Sequence, residues 1–281
     1  MSDYYKVHRN PEWNYGGKHF RLSRSKIDLF LNCPRCFYID NKLGTARPPG
    51  YPFNLNNAVD ELLKKEFDVH RANGTQHPLA AAYGVDAIPL KHAQLDAWRD
   101  ALKRGVEHVH TPTGITVRGG VDDVWVRPNG ELIVVDYKAT SKNGHITELD
   151  ADWHIGYKRQ MEVYQWLFRQ NGFQVSDMGY FVYANASKDK EAFDAKLEFE
   201  VTLVPYIGDA SWVDGTLLEL KACLDSASAP AAADDCDYCR YREAAGKALL
   251  ALQLGKAVPA AVKSKPIKKV SNAENPNDSL F

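Results

Sequence analysis

Apolar residues recur three and four apart in several stretches of the chain and alternate with polar ones in others. In "LNNAVDELLKKEFDVHRANG", Val59, Leu62, Leu63 and Phe67 form one helical stripe, and Gly74 supplies the stop. In "IGYKRQMEVYQWLFRQNG", Tyr157, Met161, Tyr164 and Phe168 share a face, and Gly172 ends the helix. "SRSKIDLFLNC" opens on a capping serine, Ser23 or Ser25, sets Ile27, Phe30 and Leu31 on one face, and is broken at Pro34. A short helix is predicted over 92–104, loop over 75–90, and a further helix in "SWVDGTLLELKACLDS". "MGYFVYA" and "LEFEVTLV" run apolar or alternate as strands do. The mixture is that of an α/β chain. No internal repeat is present.

One stretch is odd for its element. Residues 119–142, "GGVDDVWVRPNGELIVVDYKATSK", read as two strands joined at Pro128-Asn129-Gly130, yet they carry four carboxylates and, within the second strand, Lys138. Unpaired charges on a buried strand are costly to desolvate. Side chains alternate along a strand, so Asp136 and Lys138 share one face while Val135 and Tyr137 take the other. A three-residue hairpin loop with Gly in the left-handed position pairs Arg127 with Glu131. Carried up the ladder, that register sets Asp122 opposite Asp136, with Cβ atoms about 5 Å apart. Two carboxylates that close repel unless something positive lies between them. Asp122, Asp136 and Lys138 thus form a candidate site whose hard oxygen ligands suit Mg²⁺ or Mn²⁺. A surface hairpin with Lys138 paired to Asp136 and Asp122 in solvent has the same sequence pattern.

Composition bounds the alternatives. The chain has 281 residues, 44% hydrophobic and 25% charged, which suits one large α/β domain with appendages. Its net charge of −1 gives no global basic field, so any nucleic-acid surface has to be local. No apolar run approaches the roughly 20 residues of a membrane helix. The polar N-terminal stretch lacks a signal-peptide core, which predicts a cytoplasmic protein without membrane contact. In a reducing compartment the five cysteines point to metal or redox chemistry more than to disulfides.

The carboxylate hairpin and the helix after it resemble the PD-(D/E)xK nuclease superfamily, in particular its RecB-like branch, which includes the CRISPR-associated RecB-like exonucleases. The motifs occur in order: "GGVD" (Gly119 to Asp122), "DYK" (Asp136 to Lys138) and "QMEVY" (Gln160 to Tyr164). A lone D-x-K would carry no weight; three ordered motifs do. The resemblance spans about residues 22–245 and implies a restriction-endonuclease-like fold, a mixed central sheet flanked by helices. It implies hydrolysis of DNA phosphodiesters, with Asp122, Asp136 and the backbone carbonyl of Tyr137 as ligands to Mg²⁺ or Mn²⁺. Lys138 is then the catalytic lysine, and Gln160 and Tyr164, one helical turn apart, lie near the scissile strand. Family members usually draw a further ligand, often His, from an early helix. The matching position here is Asp60 in "NNAVDELLKKEF", a competent ligand for a hard cation, with Glu61 as its neighbouring alternative.

Many RecB-like nucleases also close their fold with an iron–sulfur cluster held by one early and three late cysteines. This chain departs from that pattern: "CPRC" supplies Cys33 and Cys36, and "CDYC" supplies Cys236 and Cys239. Two C-x-x-C pairs suit either zinc or a [4Fe–4S] cluster, and Cys223 reads as core.

Phosphate contacts are expected from Lys18, Arg21, Arg24, Lys26, Lys158 and Arg159, and base stacking from Phe20, Trp153 and Tyr157. These features predict a repair or recombination nuclease acting on single-stranded DNA or on ends. The rivals are an endonuclease on branched DNA or RNA, a non-catalytic nucleic-acid-binding subunit and a cysteine-metal scaffold. Three segments are expected: an arm over 1–21, the nuclease domain over 22–257 and a disordered Lys-rich tail over 258–281. The tail ends in Leu280-Phe281, which resembles the peptides that dock into bacterial sliding clamps.

Overall fold

The structure, a computed structural model, describes residues 6–48, 50 and 53–256. Its elements begin with β1 (Leu22–Ser23), α1 (Arg24–Asn32), α2 (Pro34–Asn41), α3 (Asn54–Asn73), α4 (Pro78–Ala82), β2 (Ile88–Pro89) and α5 (Leu95–Arg99). There follow β3 (Val106–His110), β4 (Ile115–Gly119), β5 (Asp123–Val126), β6 (Leu132–Thr140) and α6 (Ile155–Gln170). The last are β7 (Met178–Ala186), β8 (Phe199–Ile207), α7 (Trp212–Asp225) and α8 (Asp237–Gln253). Among the described residues two units form, one from 6–20, 26–48 and 219–256, the other from 21–25, 50 and 53–218.

The larger unit holds both sheets. In the five-stranded one the order is β2-β5-β6-β7-β8, with β6 and β7 parallel and every other pair antiparallel. The parallel pair follows from the helical crossover α6 between its strands, since parallel neighbours need a long connection. A smaller sheet, β1-β4-β3, joins the β3–β4 hairpin to the short parallel strand β1. The chain is therefore mixed α/β, with two mixed sheets flanked by helices, where the sequence pattern predicts one.

Helix α3 covers one face of the large sheet, burying Leu63 and Phe67 against Trp125, Ile133, Val135, Tyr137 and Val182. Burial of a side chain like Phe67 contributes about 2–3 kcal/mol. The buried stripe advances four residues at a time, through Val59, Leu63, Phe67 and Arg71, so Leu62 of the predicted stripe instead faces solvent at 63% exposure. Gly74 ends the helix in the left-handed conformation, as its sequence position predicts. Helix α6 is buried at every residue from Gln160 to Phe168 because it contacts β6 of one sheet and β3 and β4 of the other.

Several local predictions need correction. The expected helix over 92–104 is only α5, because Asp100 turns the chain, accepting from the Lys103 N–H and from Arg104. In the expected loop over 75–90, His77 caps α4 through the Leu79 N–H, and β2 joins the sheet edge. Strands β3 and β4, and helix α8, are additions that sequence periodicity does not announce. Residues 6–20 of the expected arm engage the smaller unit, where Tyr15 donates to Asp225 and Arg9 ion-pairs with Asp40. The tail from 258 on, including Leu280 and Phe281, lies outside the described residues.

Candidate active site

The hairpin forms in the predicted register: Asp123 pairs with Val135, Val126 with Leu132, and Arg127 and Glu131 close the loop. Gly130 takes the left-handed conformation at φ 85°. The ladder stops one residue short of Asp122, which sits in a bend just before β5. It keeps its place beside β6 through its side chain, whose Oδ2 accepts from the Tyr137 N–H at 2.9 Å.

The structure brings Asp122, Asp136, Tyr137 and Lys138 near one another. Asp60 lies within the electrostatic reach of Asp122 and Lys138, although the three carboxylates are not drawn into one tight ligand set. Asp136 is fully buried; its Oδ2 is ion-paired with Lys138, while its Oδ1 has no partner among the described residues. Lys138 Nζ also reaches the Tyr137 carbonyl at 3.4 Å. Burial pushes the Asp136 carboxyl up to about 7, with Asp122 adding to the rise and Lys138 opposing it. Burial alone would lower the Lys138 ammonium, but Asp136 and Asp122 outweigh it and hold its pKa raised.

Asp60, on α3, joins the cluster through Lys64, whose Nζ lies 2.6 Å from Asp60 and 3.7 Å from Asp122. Burial and the charge of Asp122 raise the Asp60 pKa, and Asp60 Oδ1 also lacks a partner. The neighbouring Glu61 is exposed. Buried carboxylate oxygens without donors are uncommon, and their presence here fits hard-cation ligands. Lys64 was not foreseen, although its place one turn after Asp60 is where a helix offers a counter-charge.

The third motif stands against the first. Gln160 donates to the Tyr164 hydroxyl at 3.2 Å and accepts from Arg24 at 3.0 Å. The Tyr164 ring lies on Gly119, where an added Cβ would stand 2.5 Å from Cε1. That close approach gives the first glycine of "GGVD" a steric reason. Gly119→Ala is expected to cost ~1–3 kcal/mol by overpacking, measured by urea denaturation. Gly156→Ala, which meets nothing within 4 Å, should be neutral or slightly stabilising.

Sequence reasoning missed Asp123. It is fully buried on the opposite face of β5 and accepts from Arg71, from Arg99 at 3.0 Å, from the Tyr137 hydroxyl at 2.7 Å and from the Val124 N–H. Arg99 Nε also donates to the Asp122 carbonyl at 3.0 Å, so the network fixes the backbone that carries Asp122. The available signal was Arg71, which continues the buried stripe of α3 and so demands an acidic partner.

Of the candidate nucleic-acid contacts, Arg21 is paired with Glu107 and Lys26 with Asp40, so those two cations are already engaged. Lys158 lies 5.9 Å from the Tyr206 ring. Tyr157 lies under the Lys138 ammonium at 4.6 Å and edge-on to Trp153, which is 43% exposed. Phe20 contacts Tyr15 in the smaller unit. In that unit Cys33, Cys36, Cys236 and Cys239 come together, all buried, with every sulfur within 4.8 Å of the others. Among the described residues they are the one such set of three or more potential ligands, and they could hold a metal ion. Cys223 stands apart, half-buried.

A mixed α/β fold that sets two aspartates and a lysine at one spot, beside a glutamine–tyrosine pair, has the form of a metal-dependent nuclease. The family model of the PD-(D/E)XK nuclease superfamily matches residues 21–244, and the chain belongs to that superfamily, whose members use divalent metals to cut nucleic acids. Among solved structures, the crystal structure of SSO0001 is similar at 19% identity over 41% of this chain and 45% of that one, with a TM-score of 0.23. The chain thus spans under half the length of that structure. No curated protein matches. No helix of the described residues is long and apolar enough to cross a membrane.

Proposed function

We propose that the protein is a RecB-like, metal-dependent DNA nuclease that processes single strands or ends in repair or recombination. In this proposal Asp60, Asp122, Asp136 and the Tyr137 carbonyl hold Mg²⁺ or Mn²⁺. The observation that carries it is Asp136: its carboxylate is fully buried, has no partner but the Lys138 ammonium among the described residues, and feels the charge of Asp122. When bound, such an ion engages a phosphate oxygen and acidifies a water.

The chain's own groups supply the rest. Lys138, held beside Asp136 and Asp122, is placed to orient the attacking water or to neutralise charge on the phosphate. Gln160 holds Arg24 near Asp136, where its guanidinium can meet a backbone phosphate, and Tyr164 is fixed by the same amide. Trp153, exposed and flanked by Tyr157, offers a stacking surface for an unpaired base, which favours single strands and frayed ends.

End-labelled single- and double-stranded DNA, incubated with the protein and Mg²⁺ or Mn²⁺, tests this. Metal-dependent release of nucleotides from ends, stopped by chelator, is expected. Cleavage of closed circles would replace end-processing with endonuclease action. Binding without cleavage under either metal would favour a non-catalytic subunit and overturn the proposal.

A further inference from the structure

We infer that Cys33, Cys36, Cys236 and Cys239 hold a single tetrahedral zinc ion and not an iron–sulfur cluster. The sulfur positions carry this. Cys36 Sγ lies 3.6 Å from Cys236 Sγ and 3.5 Å from Cys239 Sγ, and Cys33 Sγ lies 3.8 Å from Cys239 Sγ. Four thiolates about 2.3 Å from one central zinc stand roughly 3.8 Å apart, the edge of the tetrahedron they define. A four-iron cluster requires a wider cage. Each cysteine there binds a different iron at a different corner of the cube, so its sulfurs are separated by the iron–iron distance plus the outward reach of two Fe–S bonds. The observed cage is too small for that. Nor do the sulfurs divide into disulfide pairs, since Cys239 approaches Cys33 and Cys36 alike and all four thiols are free.

The surroundings suit a compact dianionic centre. Zinc with four thiolates carries two net negative charges. The two knuckles are built alike: Cys33 caps α2 with Cys36 in its first turn, and Cys236 caps α8 with Cys239 in its first turn. Both helix N-termini thus direct partial positive charge at the sulfurs. Arg47 donates to Cys236 Sγ at 3.3 Å and Arg242 to Cys239 Sγ at 3.5 Å, completing the charge balance. Leu29, Ala232 and Ala233 cover the cluster, as befits a closed structural site with no position left for substrate.

The test uses full-length protein purified without oxygen. Elemental analysis should find one zinc per chain, with no acid-labile sulfide and no colour. Zinc should be released stoichiometrically when a mercurial blocks the thiols. Replacement by Co²⁺ should give the strong visible absorption of a tetrahedral thiolate site. Cys36→Ser and Cys239→Ser should lose the zinc and melt at lower temperature, while Cys223→Ser keeps it. If the variants fail to fold, the wild-type stoichiometry and the cobalt spectrum still decide. Iron with sulfide, a coloured single-iron protein, or a wild-type protein without bound metal would each overturn the inference. None of these readouts depends on nuclease activity, so the zinc assignment and the proposed function fail separately.

Discussion

Asp136→Asn and Lys138→Ala are each expected to reduce metal-dependent DNA cleavage by about 10²-fold or more, the usual loss when one charged contact to a transition state is removed. Asp136 is fully buried with the Lys138 ammonium as its partner, so an amide there removes a ligand charge without removing volume. Folding should survive both changes. In Asp136→Asn the ammonium keeps Asp122 nearby, as its raised pKa records. In Lys138→Ala the stranded Asp136 carboxyl, already raised to about 7 by burial, can take up a proton instead of remaining a buried charge. Circular dichroism checks the fold and an end-labelled substrate the rate. Wild-type cleavage by either folded variant would remove Asp136 and Lys138 from the site.

Asp123→Ala should have the largest effect on stability, a loss of ~3–5 kcal/mol in urea denaturation, the range seen when one partner of a buried ion pair is deleted. Without the carboxylate, Arg71 and Arg99 keep only the exposed Asp68 as a shared counter-charge, and the buried Tyr137 hydroxyl loses its acceptor. Burial already works against the Arg71 charge, so losing its buried partner is costly even with Asp68 still in place. A loss below about 1 kcal/mol would mean that solvent reaches the arginines and that the network is not closed.

Much of the hairpin could be read from the sequence because its rules are local. A Pro-Asn-Gly loop fixes register, and register with two-residue alternation sends Asp122 and Asp136 one way and Asp123 and Tyr137 the other. The same alternation should have exposed Asp123, since a carboxylate on the face of Val135 and Tyr137 must find a partner inside. That partner, Arg71, lies 52 residues away in sequence, and no local rule connects the two. Helix α6 showed its period but not the all-round burial of Gln160 to Phe168, which depends on contact with two sheets, one of them unforeseen. Strands β3 and β4 were hidden by His108, His110, Thr116 and Arg118, polar residues that alternate but belong to no apolar run. The cysteine pairs announced a metal, but the choice between zinc and iron–sulfur rests on sulfur separations that spacing along the chain cannot supply.

The most direct test of the carboxylate site is Mn²⁺ binding, followed by electron paramagnetic resonance, in the wild-type protein, Asp136→Asn and Lys138→Ala. Wild type and Lys138→Ala should both bind the ion, because the lysine is not a ligand, while Asp136→Asn should bind at least tenfold more weakly. Mn²⁺ binding by Asp136→Asn with wild-type affinity would contradict the assignment of Asp136 as a metal ligand.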